Sequence, residues 1–383
     1  MIFDTPTIKG RSGGIDALRA IFALWVVIAH LVPRTYKLQG HDRIPEWLYY
    51  FTDTIVDRLT QASNELNPAV LGFIVLSGYC IHRNGLRSND QGGAVTNFSI
   101  RRCFRILPVY WLACLLPLVM LPIALHFSEA KTIAVNGSAT IDPMCLVAKM
   151  LTLPAITPSF HSDGCSSAGN GPLLTVTVEI WLYAIYGAAF ALLAARQRDR
   201  AVLLIAIVSF TLSVVTAALA NQYPTLYNWW QNSSVIGFLP YWWVGAALVI
   251  PDVQKWVQRR FLIVSACWIG LTAIILYGFE IGSAIAEVRK MFFVLGIGVI
   301  IGWLDAAQLG ERNPLSALGR AGYSLYAFHS PILLPLVLAG VWWPLTLGVI
   351  IAFGLLAYYV VERPMISLGK RFLSRKARGL RTA

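Results

Sequence analysis

The chain has 383 residues, of which 57% are hydrophobic and 13% charged, with a mean hydropathy of +0.62. Soluble domains carry about 25% charged residues, so the composition excludes a soluble globular core and points to a polytopic membrane protein. The formal net charge of +12 lies in short loops between apolar runs. That is the topology signal of membrane proteins, not a nucleic-acid surface, so the lipid bilayer is the expected partner and nucleic acid is not.

A bilayer-spanning helix needs about 20 apolar residues. On that measure the runs predict helices near 15–33, 67–82, 107–126, 172–195, 201–220, 235–250, 260–279, 289–305, 320–340 and 343–361. The expected fold class is therefore an all-α polytopic bundle of about ten transmembrane helices. An even count places both termini on one side. The first run starts near Ile15 and carries internal charge, so it reads as a retained helix and not as a cleaved leader.

That run, Gly14 to His30, bears Asp16, Arg19 and His30. Charge in hydrocarbon is expensive, so each is a functional candidate. Arg19 and His30 are eleven residues apart, which puts them within about 20° of one helix face and about 16 Å apart along the axis. One stripe can thus hold both ends of an elongated ligand. The plainer alternative makes Asp16 and Arg19 an end-of-helix pair and His30 an interfacial anchor.

Orientation follows from the basic residues. With the N-terminus in the cytoplasm, segments 1–14, 83–106, 196–200, 251–260, 306–320 and 362–383 hold 22 Lys and Arg, and the opposite segments hold 8. Both termini are therefore expected in the cytoplasm. Acids lean outward, including Asp57, Glu65, Asp163, Glu280 and Glu287, leaving Asp16 and Glu179 as the acids expected inside helices. His30 and His329 are the intramembrane histidines, with His82 and His126 at helix ends.

The outward loop 127–171 is rich in Pro, Gly and Ser and holds Cys145 and Cys165. Both face an oxidising compartment in this orientation, so they are candidates for a disulfide, with two free buried thiols as the alternative. Cys80, Cys103, Cys114 and Cys267 lack metal-ligand spacing, and no metal is expected.

Depth arithmetic places His30 about 22 Å from the cytoplasmic side and Glu179 about 10 Å from the outer side of a core about 30 Å thick. At similar depth they can form a general-base pair, the carboxylate fixing the imidazole tautomer. A protonated Glu179 bonded to a neighbouring helix is the alternative. His329 is placed near the midplane, to contact a ligand or to bond a backbone carbonyl. Arg101, Arg102 and Arg105 precede the third helix, and Arg102 and Arg105 share a face at i, i+3. Guanidinium forks suit phosphate, although positive-inside charge or anionic lipid also explains them. Residues 370–381 form a basic amphipathic stretch, expected at the membrane surface. There is no glycine-rich phosphate loop, zinc-type His cluster or Gly-x-Ser-x-Gly elbow.

Six segments in order resemble the acyltransferase 3 family of integral-membrane acyltransferases. They are Ile15-Asp-Ala-Leu-Arg19 with His30, Gly72-Phe-Ile-Val-Leu-Ser-Gly78, Arg102-Cys-Phe-Arg105-Ile-Leu-Pro108-Val-Tyr110, Thr177-Val-Glu179-Ile-Trp-Leu-Tyr183, Tyr323-Ser-Leu-Tyr326-Ala-Phe-His329-Ser-Pro331 and Glu362-Arg-Pro364. Thr177 stands where the family usually has Ser and keeps the hydroxyl. The resemblance covers about 14–364, implying one transmembrane domain over 1–364, a basic cytoplasmic tail over 365–383 and no fused extracytoplasmic domain.

The resemblance also implies an activity. Members take acyl groups, usually acetyl, from cytoplasmic acyl-CoA and deliver them to hydroxyls of cell-surface polysaccharide or lipid-linked sugar, across the bacterial inner membrane. On that basis acetyl-CoA is the expected donor and polysaccharide such as O-antigen or exopolysaccharide the expected acceptor. Arg19, Arg102 and Arg105 are expected on the CoA phosphates, and His30 with Glu179 at the thioester. Asp16 is expected to orient Arg19, and Tyr326 and His329 to line the acceptor side. A secondary transporter or flippase for lipid-linked sugars is the competing reading, and a non-catalytic membrane scaffold a third.

Overall fold

A computed structural model describes residues 12–56, 67–85, 94–160, 165, 168–192, 198–279, 281–306 and 313–382. Asp57, Glu65, Asp163 and Glu280, expected in outward loops, lie outside the described residues. The longer helices are α1 (Gly13–Gln39), α2 (Pro68–Gly85), α3 (Ala94–Leu115), α4 (Pro117–Phe127), α5 (Leu174–Leu192) and α6 (Arg198–Ala218). They continue as α7 (Val235–Ala247), α8 (Phe261–Leu276), α9 (Ser283–Ala306), α10 (Gly322–Leu338), α11 (Trp343–Ala357) and α12 (Arg363–Thr382). The described residues contain no strand. The fold is all-α, because backbone in hydrocarbon must satisfy its own hydrogen bonds.

A helix lies at each of the ten expected runs. By length and hydropathy, five described helical stretches suffice to cross a membrane: Gly13–Gln39, Val95–Phe127, Gly171–Ala191, Arg198–Ala218 and Trp343–Arg375. Counting two bent helix pairs as one span each raises this to seven. One such pair is Pro314–Arg320 with α10, bent by 71°. The shortfall from ten has physical causes. α2 ends in the polar run His82-Arg83-Asn84, α8 is only 16 residues long, and α9 carries Glu287, Arg289, Lys290 and Asp305.

α1 is the central post. Ser12 caps it by accepting the Ile15 N–H, and Asp16 places negative charge at the dipole's positive end. It packs against the short helix Pro314–Arg320, α10 and α2. Gly319 makes the first contact possible, since a Cβ there would overlap the Asp16 carbonyl oxygen. α2 and α7 meet through a reciprocal pair of glycines: Gly78 lies on the Trp242 carbonyl and Gly245 on the Val75 carbonyl. Small residues let membrane helices approach in this way. The basic tail is not simply laid on a surface. α12 packs on α3, with the Phe104 and Phe372 rings 6.3 Å apart.

The buried acids are more numerous than Asp16 and Glu179. Glu287, expected outside, is 1% exposed within α9. There it accepts from Gln231, Tyr241 and Ser213 and pairs with Lys290 at 2.9 Å. Asp305 pairs with Arg83 at 2.7 Å, and Glu362 is buried beside Ser324. Hydropathy put Glu287 and Glu362 in connecting segments and Asp305 at the last position of a run, because it scores each residue alone. Pairing with donors on neighbouring helices is what lowers their burial cost.

The segment between α4 and α5 is drawn into the bundle. Cys145 and Cys165 are joined by a disulfide. Lys149 is fully buried, donating to the Asn170 carbonyl at 2.6 Å, while its own carbonyl accepts from the Tyr110 hydroxyl. The Asn170 amide donates to the carbonyls of Ala113 (3.1 Å) and Ala327 (3.0 Å). Each of those carbonyls lacks a helical partner because the residue four on is a proline, Pro117 or Pro331. One asparagine thus satisfies two gaps made by prolines in different helices.

Candidate functional site

A cavity of ≈ 840 Å³ opens among α1, α2, α3, α5 and α10. Its wall holds Arg19, Arg102, Arg105, Glu179 and Tyr326 together. Five elements contribute, which is why no local pattern could show it. Asp16 Oδ1 accepts from Arg19 Nη1 at 2.7 Å. Arg19 Nη2 reaches the Cys80 sulfur at 3.2 Å. The Arg102 guanidinium lies over the rings of Phe98 and Tyr183, 5.7 and 5.5 Å from their centroids. Its Nε–H is buried without a partner among the described residues, so it has a donor to offer an anion.

A second basic cavity, ≈ 710 Å³, shares Arg102 and Arg105 with the first and adds Arg101, Arg320 and Lys370. Only one carboxylate, Glu362, stands in its lining, 3.7 Å from Arg105 Nε. The paired cavities form a cationic entrance leading to an apolar interior, a shape that suits a ligand with anionic head and uncharged arm.

Glu179 and His30 do not share a hydrogen bond, contrary to the depth argument. Glu179 Oε1 accepts from the Ser77 hydroxyl at 2.7 Å and from Tyr183. Trp242 Nε1 in turn donates to Ser77 Oγ at 3.3 Å. His30 Nδ1 instead lies 2.9 Å from His329 Nε2, the two rings nearly parallel. Depth along a helix axis is one coordinate. Which residues meet also depends on rotation about each axis and on which helices are neighbours, and here α1 packs on α10.

The imidazole pair has a defined proton order. His329 Nδ1 lies 2.6 Å from the Tyr326 carbonyl oxygen. A carbonyl only accepts, so neutral His329 carries its proton on Nδ1 and its Nε2 is an acceptor. His30 must then donate from Nδ1, leaving His30 Nε2 as a lone pair. A base or nucleophile oriented by a second group is the usual catalytic arrangement. The side chain bonded to His30 is thus His329 and not Glu179.

The pair lines neither cavity named above nor a third one, but it adjoins two of them. Tyr326, in the arginine-bearing wall, has its ring 5.7 Å from that of His329. Tyr326 was expected with the acceptor. It lies on the arginine side because it sits one turn before His329 in α10, where its hydroxyl meets Thr175 Oγ1 at 2.5 Å. On the other side a cavity of ≈ 660 Å³ is walled by α1, α4, α10 and the segment before α5. Its lining includes Arg34, one turn beyond His30, and Ser330, next to His329.

The model of a known family, described as an acyltransferase domain, matches residues 12–362. The chain belongs to the acyltransferase 3 family. No curated protein and no solved structure matches it. Membership supports an acyltransferase-type enzyme in a membrane, and an acyl-CoA-type donor. Among the described residues no group of three or more His, Cys, Asp or Glu is placed to hold a metal ion.

Several residues of this candidate site escaped the sequence. Ser77 stands in the quoted Gly72–Gly78 segment, and Tyr183 lies at i+4 from Glu179, where helical side chains meet. Those two had a signal. Cys80, Thr175 and Arg320 had none, since nothing local distinguishes them from packing or surface residues.

Proposed function

We propose that the chain is a membrane O-acyltransferase, in the simplest case an O-acetyltransferase. It moves an acyl group from acyl-CoA to a hydroxyl of a cell-surface polysaccharide or lipid-linked sugar in the bacterial cytoplasmic membrane. The observation that carries this reading is the pair of cavities, one cationic and one on the loop side, both adjoining an imidazole pair whose hydrogen bonds leave the lone pair on His30 Nε2. A donor and an acceptor can approach the same nitrogen from opposite sides. A transporter has no need of that ordered pair.

In this reading Arg19, Arg102 and Arg105, with Arg101, Arg320 and Lys370 at the entrance, hold the CoA phosphates. The pantetheine arm runs toward His30, over the about 16 Å that eleven helical residues span. His30 Nε2 takes the acceptor hydroxyl's proton as its oxygen attacks the thioester carbonyl carbon. The C–S bond breaks, and the thiolate leaves with the proton from His30. Alternatively His30 Nε2 attacks first and carries the acyl group. His329 accepts from the imidazolium Nδ1–H in either case. Glu179, Ser77 and Tyr183 hold the cavity wall, and Asp16 positions Arg19. The 22-to-8 division of basic residues supports ten spans with both termini cytoplasmic. Residues 1–364 then form one transmembrane domain with a cytoplasmic tail, 365–383.

The deciding experiment follows label from radiolabelled acetyl-CoA in purified protein in lipid, with and without a lipid-linked sugar extract. Label enters the extract with wild type, and His30→Ala lowers transfer by at least about 100-fold, the scale of a lost general base. Undiminished transfer by His30→Ala removes the mechanism. No transfer and no CoA release with any acyl-CoA favours a flippase.

A further inference from the structure

The loop-side cavity contains a cation that the acyl-transfer chemistry does not use. Arg34 lies four residues beyond His30 in α1, so it shares that face one turn further on, about 6 Å along the axis. It is half-buried and within electrostatic reach of both His30 and His329. Its hydrogen bond is to Ser330 Oγ, at 3.4 Å. Among the described residues no carboxylate forms an ion pair with it.

Four other partly or fully buried cations of the bundle each pair with a carboxylate. Arg19 has Asp16, Arg83 has Asp305, Arg105 has Glu362 and Lys290 has Glu287. The residues lining the Arg34 cavity are apolar, glycine or Ser330, with no acid among them. A guanidinium held inside a membrane protein is costly unless its charge meets an anion. Its planar fork also matches a carboxylate or phosphate in two-point contact, which a water-filled pocket does not exploit.

We infer that Arg34 forms an anion subsite for the acceptor, so that the acylated sugar carries an oxyanion about one helical turn from the hydroxyl presented to His30. That spacing is comparable to the distance across one hexose ring. The anion is either a ring carboxylate, as in a uronic acid, or a phosphate on the anomeric carbon. This inference rests on the acyltransferase reading for the word acceptor, but the anion subsite itself is testable without it.

The test uses the full-length protein in nanodiscs of phosphatidylcholine, which supply no net anionic lipid. Glucuronic acid, glucose 1-phosphate and glucose are titrated, and binding is read from the ligand-dependent shift in melting temperature. One of the two anions binds at least about tenfold tighter than glucose, as a charge-assisted bidentate contact provides. Glucuronate above glucose 1-phosphate assigns a carboxylate, and the reverse order a phosphate. Arg34→Gln abolishes the preference and Arg34→Lys keeps part of it. Should Arg34→Gln fail to fold, Ser330→Asp serves instead, because it gives Arg34 an internal carboxylate and removes the preference while the arginine stays. Equal binding of all three sugars to wild type overturns the inference. So does an anion preference that survives both Arg34→Gln and Ser330→Asp, since the anions are then held by the other arginines. CoA release from acetyl-CoA is followed with a thiol reagent on the same preparation. Anion binding at Arg34 without CoA release from acetyl-CoA or any other acyl-CoA sinks the transferase reading and leaves the subsite. His30-dependent CoA release without anion preference sinks the subsite alone.

Discussion

At the scale of single residues, hydrogen-bond direction decides chemistry. The Tyr326 carbonyl sets the His329 tautomer, which sets that of His30, and the free lone pair falls on His30 Nε2. Lys149 shows the same logic in the loop. Burial pushes its ammonium down to about 8 from 10.5, with Cys114 acting in the opposite sense. A lysine whose folded pKa is lowered binds fewer protons than the unfolded chain between those two values. Stability therefore rises with pH through that window, by up to ~1.4 kcal/mol per pH unit. Below about 8 both states are protonated and the penalty is constant. Melting temperatures measured from pH 7 to 10.5 are expected to show this rise in wild type and to lose it in Lys149→Met. A rise of equal size in Lys149→Met assigns the effect to other groups.

At the scale of elements, prolines and glycines determine how the helices fit together. Pro117 and Pro331 each release a carbonyl, and Asn170 binds both. Asn170→Leu leaves two buried acceptors without donors, at about 1–3 kcal/mol each. A lower melting temperature follows, and the loss is smaller in a Pro331→Ala background, where the chain's own N–H is restored. An equal loss in both backgrounds contradicts this pairing. Because Asn170 also receives Lys149, the loop is tied by hydrogen bonds to α10, which carries His329. Gly319 seats the short helix before α10 on the Asp16 carbonyl, coupling the start of α1 to the same element. The site is thus held by α1 and α10 pressed together at both ends.

At the scale of the whole molecule, the question is which side each cavity faces. The disulfide Cys145–Cys165 belongs to the loop-side cavity's end of the bundle, and the cationic entrance to the end bearing α12. The proposed orientation puts the first outside and the second in the cytoplasm. Thr140→Cys is therefore expected to react with a membrane-impermeant maleimide on intact cells. Ser374→Cys is expected to react only after permeabilisation, both positions being exposed. Reaction of both from one side contradicts the arrangement, and with it a donor and an acceptor reaching His30 from opposite compartments.

The amino-acid sequence alone determined that the chain is helical and membrane-embedded, where its apolar runs fall, and that Asp16, Arg19, His30, Glu179, Arg102, Arg105, Tyr326 and His329 are its candidate residues. Charge in hydrocarbon is rare enough to be read one residue at a time, and family motifs are local strings. Asp16 with Arg19 was legible because i, i+3 is a contact within one helix. Only the tertiary structure decided that His30 meets His329, that Glu179 meets Ser77 and Tyr183, and that Glu287 and Lys290 are buried together. Those contacts join residues on different helices, and they depend on the rotation and adjacency of helix axes. Hydropathy and periodicity measure depth and face within a single helix, but not which neighbour that face will meet.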